Sequence, residues 1–222
     1  MPEPARGRPR AEPRHEQHER ILRVARAAFA AHGYDAVTMA SLARDAAVPR
    51  PVLYEVVGSK EQLLAAVADQ VADELIKAVD ARFSQPGELD RPLDELVRED
   101  VRWFVQLASS EPAFTAIMRQ AQRLSPDDDH GPMGRARRRL EDRIAELHVN
   151  RGRALGVERE ATARVLSAVI LAVLEGVASR VDEPGWPGDA VADLVAEFAV
   201  GGYVRTEVNG ASAAFEARVR DT

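Results

Sequence analysis

Between Ile21 and Leu64 the apolar residues recur three and four apart, a spacing that predicts short helices in quick succession. Ile21, Leu22, Val24, Ala25, Ala28 and Phe29 share one helical face, and Gly33, tolerant of positive φ, marks where that helix ends. Thr38 is placed to cap a second helix that buries Met39, Leu42, Ala43 and Ala46. Ala47-Val48-Pro49 makes a turn. Pro51 suits the first turn of a third helix, where a missing N–H does little harm, and Leu53, Tyr54 and Val57 follow. Gly58 closes that helix and Ser59 opens the next, with Gln62 completing a capping box. From there one long amphipathic helix runs to Phe83. Further helices read at 91–109, 111–124, 134–152, 158–182 and 188–208, separated by stretches rich in Pro, Gly and Asp. No strictly alternating run predicts a strand. The fold class is therefore all-α.

Two short helices joined by a turn of about four residues have the spacing of a helix-turn-helix, whose second helix enters the DNA major groove. The predicted organisation follows. Residues 1–18, with almost nothing apolar, form a flexible basic arm; 19–65 form a three-helix helix-turn-helix domain; 66–222 form a larger helical domain for ligand binding and dimerisation.

Composition sharpens this picture. Hydrophobic residues make up 45% of the 222 positions but aromatics only 5%, so the core is built mainly from Ala, Val and Leu, which suit close helix packing. With no cysteine there is neither a disulfide framework nor a thiolate metal site. No run approaches the roughly 18 apolar residues of a membrane span, and no apolar segment follows the first residues, so a cytoplasmic protein without membrane contact is expected. The net charge of −6 argues against a nucleic-acid partner until its distribution is considered. Residues 1–60 hold ten Lys and Arg against seven Asp and Glu, net +3, whereas residues 61–222 hold twenty against twenty-nine, net −9. A basic head on an acidic body steers the head toward phosphate. The plainer alternative is a chance asymmetry in a salt-bridged surface.

The head carries suitable chemistry. Thr38, and likewise Ser59 with Lys60, offer a hydroxyl and free N–H groups at a helix N-terminus, a natural phosphate site. Arg50 leads the third helix and can reach guanine edges, and the Tyr54 hydroxyl can hold a phosphate. The competing reading makes this an ordinary helical subdomain with Leu53 and Tyr54 in its core. The run Phe29, Gly33-Tyr34, Thr38, Leu42-Ala43, Ala46, Val48, Leu53-Tyr54, Ser59-Lys60-Glu61 and Leu63 resembles the TetR/AcrR family of transcriptional regulators. The resemblance implies a homodimeric, ligand-responsive repressor whose two heads read the halves of a palindromic double-stranded DNA operator, with a body that binds a small-molecule effector. It also implies phosphate contacts at Thr38, Tyr54 and Lys60, with Arg50 and Pro51 facing the groove. Pro51 and Val52 depart from the family's frequent Gly and Thr, and Val56 replaces a customary phosphate anchor. Glu55 on the reading helix repels phosphate unless it is paired with an arginine or accepts from a cytosine. Those departures keep open an alternative: a helical protein-interaction adaptor that has lost specific DNA binding. In the arm, Arg6-Gly7-Arg8-Pro9-Arg10 resembles an AT-hook core, which would place Arg6 and Arg8 in a narrow minor groove; a merely solubilising tail is the alternative.

In the body, Val165, Ala168, Val169, Ala172 and Gly176 form one seam of small and aliphatic residues, and Val191, Leu194, Val195, Phe198, Ala199, Gly202 and Tyr203 form another. Two such helices per chain suit a four-helix bundle across a two-fold axis. Candidate effector contacts are Trp103, Phe104, Leu107, Phe114, Ile117, Met118 and His148, with Glu175 as an acid inside an apolar helix. The arginine-rich 135–143 segment reads as a solvated, ion-paired helix face. Nothing points to an enzyme, a cofactor or a bound metal: His15 and His18 have the wrong spacing for a zinc protease, and there is no phosphate loop or nucleophile elbow.

Overall fold

The computed structural model describes residues 13–84, 91–124, 131–154, 159–178 and 188–220. These form helices α1 (Arg14–Ala36), α2 (Met39–Asp45), α3 (Arg50–Val57), α4 (Lys60–Phe83), α5 (Leu93–Ser110), α6 (Pro112–Leu124), α7 (Pro132–Ala154), α8 (Glu160–Ala178), α9 (Gly188–Val208) and α10 (Ala211–Arg220). No strand occurs among the described residues.

Helix α1 starts at Arg14, inside the stretch read as a flexible arm, and its helical geometry breaks at Gly33 (φ 78°, ψ 161°). Its buried face of Ile21, Leu22, Ala25 and Phe29 is the predicted one. Between α2 and α3 the chain forms a Schellman turn: Val48 N donates to Ala43 O (2.9 Å) and Ala47 N to Arg44 O (3.0 Å). Ala47 takes the left-handed position at φ 51°. Val48 and Ala43 are both buried, supplying the apolar contact that accompanies this motif.

The core of the head does not stop at the head. Phe29, Leu42, Leu53, Leu63 and Leu64 pack in one cluster that continues into Val67 and Val71 of α4 and Ile117, Met118 and Ala121 of α6. Gln120 Nε2 also donates to Phe29 O (2.9 Å), in the last turn before the Gly33 break, where helix carbonyls run short of intrahelical donors. A second cluster joins α4, α7 and α8 through Leu75, Val79, Leu140, Ile144 and Leu171, with Trp103, Phe104 and Leu107 of α5 packed against it, and a third joins α5 to α9 through Val101, Val105, Ala192 and Ala196. Helix α10 lies beyond the last predicted helix. It is held to α8 where Glu216 Oε1 accepts from Thr162 N (2.6 Å) and Ser212 Oγ donates to Thr162 Oγ1 (3.1 Å).

Candidate nucleic-acid interface and effector region

Helix α2 begins at a complete capping box: Ser41 N donates to Thr38 Oγ1 (3.1 Å) and Thr38 N to Ser41 Oγ (3.2 Å). Thr38 itself is exposed. Helix α3 buries Leu53 completely and leaves Arg50, Pro51, Tyr54 and Glu55 on its open face, with Tyr54 47% exposed. Tyr54 is therefore surface and Leu53 core. Val56 and Val57 are half-buried against the head cluster. Gly58, at φ 69°, turns the chain into α4; a Cβ there would collide with Gln62 Oε1. That oxygen accepts from Ser59 N (2.7 Å), completing the second predicted capping box.

Lys60 is more committed than its exposed neighbours. Its Nζ donates to Tyr34 O (2.7 Å) and Val37 O (2.8 Å) and lies 4.0 Å from the centre of the Tyr34 ring. Two of its three protons thus hold the connection from α1 to α2. Tyr34 Oη donates to Glu61 Oε1 (2.8 Å), and burial together with that carboxylate pushes the phenol up to about 12. Arg20 Nη1 donates to Ala46 O, tying α1 to the turn, and Arg14 Nη2 donates to Glu55 Oε1 (3.0 Å). Glu55 thus has an arginine partner. Arg6 and Arg8 lie outside the described residues.

The effector candidates divide. Trp103, Phe104 and Leu107 of α5 and Phe114 of α6 surround the second cluster, with the Trp103 and Phe104 rings edge to face at 5.0 Å. His148 joins from α7: its ring meets Phe83 at 5.8 Å and its Nδ1 lies 2.7 Å from Ser167 Oγ. Burial, reinforced by the Arg151 charge, lowers its pKa to about 4. Met118 and Ile117 are not with this group; they belong to the core shared by head and body. The side chain of Glu175 lies outside the described residues.

Beside the aromatic group, sequence reasoning missed a buried ionic link. Asp100 meets Arg82 (2.9 Å) and Arg151 (2.8 Å), and Arg151 lies 4.5 Å from the centre of the Phe83 ring. Its signal was visible: Asp100 occupies the same helical face as Leu96, Trp103, Phe104 and Leu107, an acid in an apolar register. The arginine-rich face of α7 is ion-paired, but across to α4 and not only locally as expected, with Arg143 meeting Asp80 (2.7 Å) and Arg139 meeting Asp73. Along α8 and α9, Val165, Val169, Leu194 and Phe198 are 49%, 51%, 72% and 69% exposed. Of these, Val169 and Phe198 line an open apolar groove of about 80 Å³ between α5, α8 and α9.

A capped helix, a Schellman turn and a second helix with an open polar face define a helix-turn-helix protein. Residues 21–67 match the family described as bacterial regulatory proteins, tetR family. The chain carries that family's DNA-binding N-terminal domain and, over most of its length, the fold of TetR-family transcriptional regulators. No curated protein matches it. A tetR-family transcriptional regulator from Streptomyces coelicolor aligns with a TM-score of 0.69 at 18% identity, over 93% of this chain and 89% of that one. A TetR-like transcriptional regulator from Rhodococcus sp. RHA1 gives 0.63 at 24% identity, over 87% and 98%. The transcriptional regulator FadR from Bacillus subtilis, solved in complex with stearoyl-CoA, gives 0.65 at 12% identity, over 83% and 98%. No helix among the described residues is long and apolar enough to cross a membrane.

Proposed function

We propose that this chain is a ligand-responsive, non-catalytic repressor that binds a palindromic operator as a homodimer. One observation carries the reading: α3 buries Leu53 under an open face of Arg50, Pro51 and Tyr54, flanked by the N-termini capped by Thr38 and Ser59. Such a face can lie in a major groove with phosphates at both helix starts. The division of labour is a DNA-binding domain over 19–65 and a ligand-binding and dimerising body over 66–222. Thr38, Tyr54 and the remaining proton of Lys60 are assigned to phosphate, Arg50 and Pro51 to base edges, and Arg6 and Arg8 of the arm to the adjacent minor groove.

The exposed α8 and α9 residues suit a two-fold bundle that sets the two reading helices about 34–36 Å apart, one turn of DNA. The effector is assigned to the aromatic group of Trp103, Phe104, Leu107 and Phe114, with His148 at its edge. Met118 and Glu175 remain assigned as lining residues, Met118 at the boundary with the head. Effector binding there favours a conformer in which α4 pivots and the two heads lose the groove spacing. Long-chain acyl thioesters, the class held by FadR, are the first compounds to assay.

Fluorescence anisotropy with the DNA upstream of the coding sequence tests the proposal. Arg50→Ala and Tyr54→Ala should each weaken specific binding by about 1–3 kcal/mol. Unchanged affinity in both variants would count against it.

A further inference from the structure

The open face of the reading helix carries an acid. Glu55 is exposed beside Tyr54 and follows Arg50 and Pro51 by about one turn, so it shares the surface assigned to the groove. A bare carboxylate there is repelled by every nearby phosphate. Here it is not bare. Arg14, the first residue of α1, donates from Nη2 to Glu55 Oε1 at 3.0 Å. With side chains 89% and 64% exposed, the pair adds little to the stability of the fold. What it does is cancel the charge of the carboxylate at the place where DNA would lie.

The geometry also leaves one acceptor available: Glu55 Oε2 has no partner among the described residues. In the major groove, cytosine offers its N4 amino group to such an acceptor. Adenine sets its amino group beside the N7 acceptor, which repels a carboxylate, and guanine and thymine offer only acceptors and a methyl group. We propose that Glu55, held and charge-screened by Arg14, is a specificity-determining residue that selects cytosine at one position of each operator half-site. The inference rests on the DNA-binding reading above and deepens it.

Selection from a random duplex library with the full-length chain tests it, repeated with Glu55→Ala and Glu55→Gln after circular dichroism confirms unchanged helix content. The wild-type consensus should contain a cytosine in each half that Glu55→Ala no longer favours, discrimination there falling on the order of 10-fold to 100-fold. Glu55→Gln should move the preference at that position toward adenine, whose N6 and N7 match an amide. A consensus identical in all three proteins overturns the assignment while leaving the DNA-binding reading intact. A wild-type chain that enriches no sequence overturns that reading itself. Arg14 has its own arm: Arg14→Ala should weaken operator binding more in the wild-type background than in Glu55→Ala, whereas equal losses would show that it does not act through Glu55.

Discussion

Ala47 stands at φ 51°, in the C′ position of the turn between α2 and α3, where a side chain crowds its own backbone and glycine is the ordinary occupant. Ala47→Gly should therefore stabilise the head by about 0.5–1 kcal/mol after the added freedom of the unfolded chain is counted, and Ala47→Val should destabilise it by more. Thermal midpoints of the three proteins check both directions. His148 makes a different claim. Its pKa is lowered from 6.5 to about 4, so the unfolded chain takes up a proton that the folded ring refuses. Its contribution to stability is complete above pH 6.5 and is lost as the pH falls toward 4, a change on the order of 3 kcal/mol. Denaturation midpoints of wild type and His148→Gln, compared across that window, should diverge; parallel curves would show that His148 plays no part. At this scale the sequence was legible where backbone chemistry decides, as at Gly33, Thr38 and Gly58. It was ambiguous at Leu53 and Tyr54, because helical spacing puts both near the boundary of the buried arc and only packing separates them. Lys60 was legible as a cation at a helix start, but the carbonyls it holds lie 23 and 26 positions earlier, and no local pattern announces them.

Among the elements, α1 has the widest reach. It contributes Phe29 to the head core, sends Arg20 to the turn, and receives Gln120 from α6 on a carbonyl beside its own break. Because Ile117, Met118 and Ala121 sit in that same core, a shift of α6 cannot leave α1 undisturbed; packed interiors transmit displacement instead of absorbing it. Gln120→Ala removes the polar half of this joint and keeps the apolar half. It should lower global stability by about 1 kcal/mol and weaken the response of operator affinity to effector more than the affinity itself. Titrating operator with and without effector separates the two effects, and an unaltered ratio would place the coupling elsewhere. Most helices were legible because capping residues and punctuators bracket them. Helix α10 was not: Ala211, Ala213 and Ala214 give its face no apolar stripe, and the Asn209-Gly210 step resembles a terminus as readily as a corner. Its anchor is the polar contact between Thr162 and Glu216, which becomes visible only once α8 is in place.

For the molecule as a whole, the decisive feature is an exposed apolar strip on α8 and α9. Leu194 and Phe198 stand four apart on α9, and Val165 and Val169 stand four apart on α8. Each pair is therefore one continuous face, and water-exposed faces of this kind are costly unless another surface covers them. In the proposed homodimer a second copy would meet the strip with the same residues, which is the self-complementarity that a two-fold interface requires. Small and aliphatic spacing marked these two helices, but it could not separate Val195 and Ala199, which turn inward against α5, from Leu194 and Phe198, which stay exposed. The buried Arg82–Asp100–Arg151 link was not legible, since its members come from three helices and only Asp100 betrays itself by register. Leu194→Glu combined with Phe198→Glu places two negative charges in the strip of each copy, and four in a symmetric dimer. Neither residue contributes to the buried clusters, so the fold should survive, with helix content unchanged by circular dichroism. Sedimentation equilibrium should then show a monomer, and operator affinity should fall by orders of magnitude, because each head retains only its own half-site contacts. The salt dependence should change with it: the slope of log affinity against log salt should roughly halve as the phosphates neutralised per complex halve. A double variant that stays dimeric, or a monomer that keeps both full affinity and full slope, would mean that the two heads are not coupled through this face.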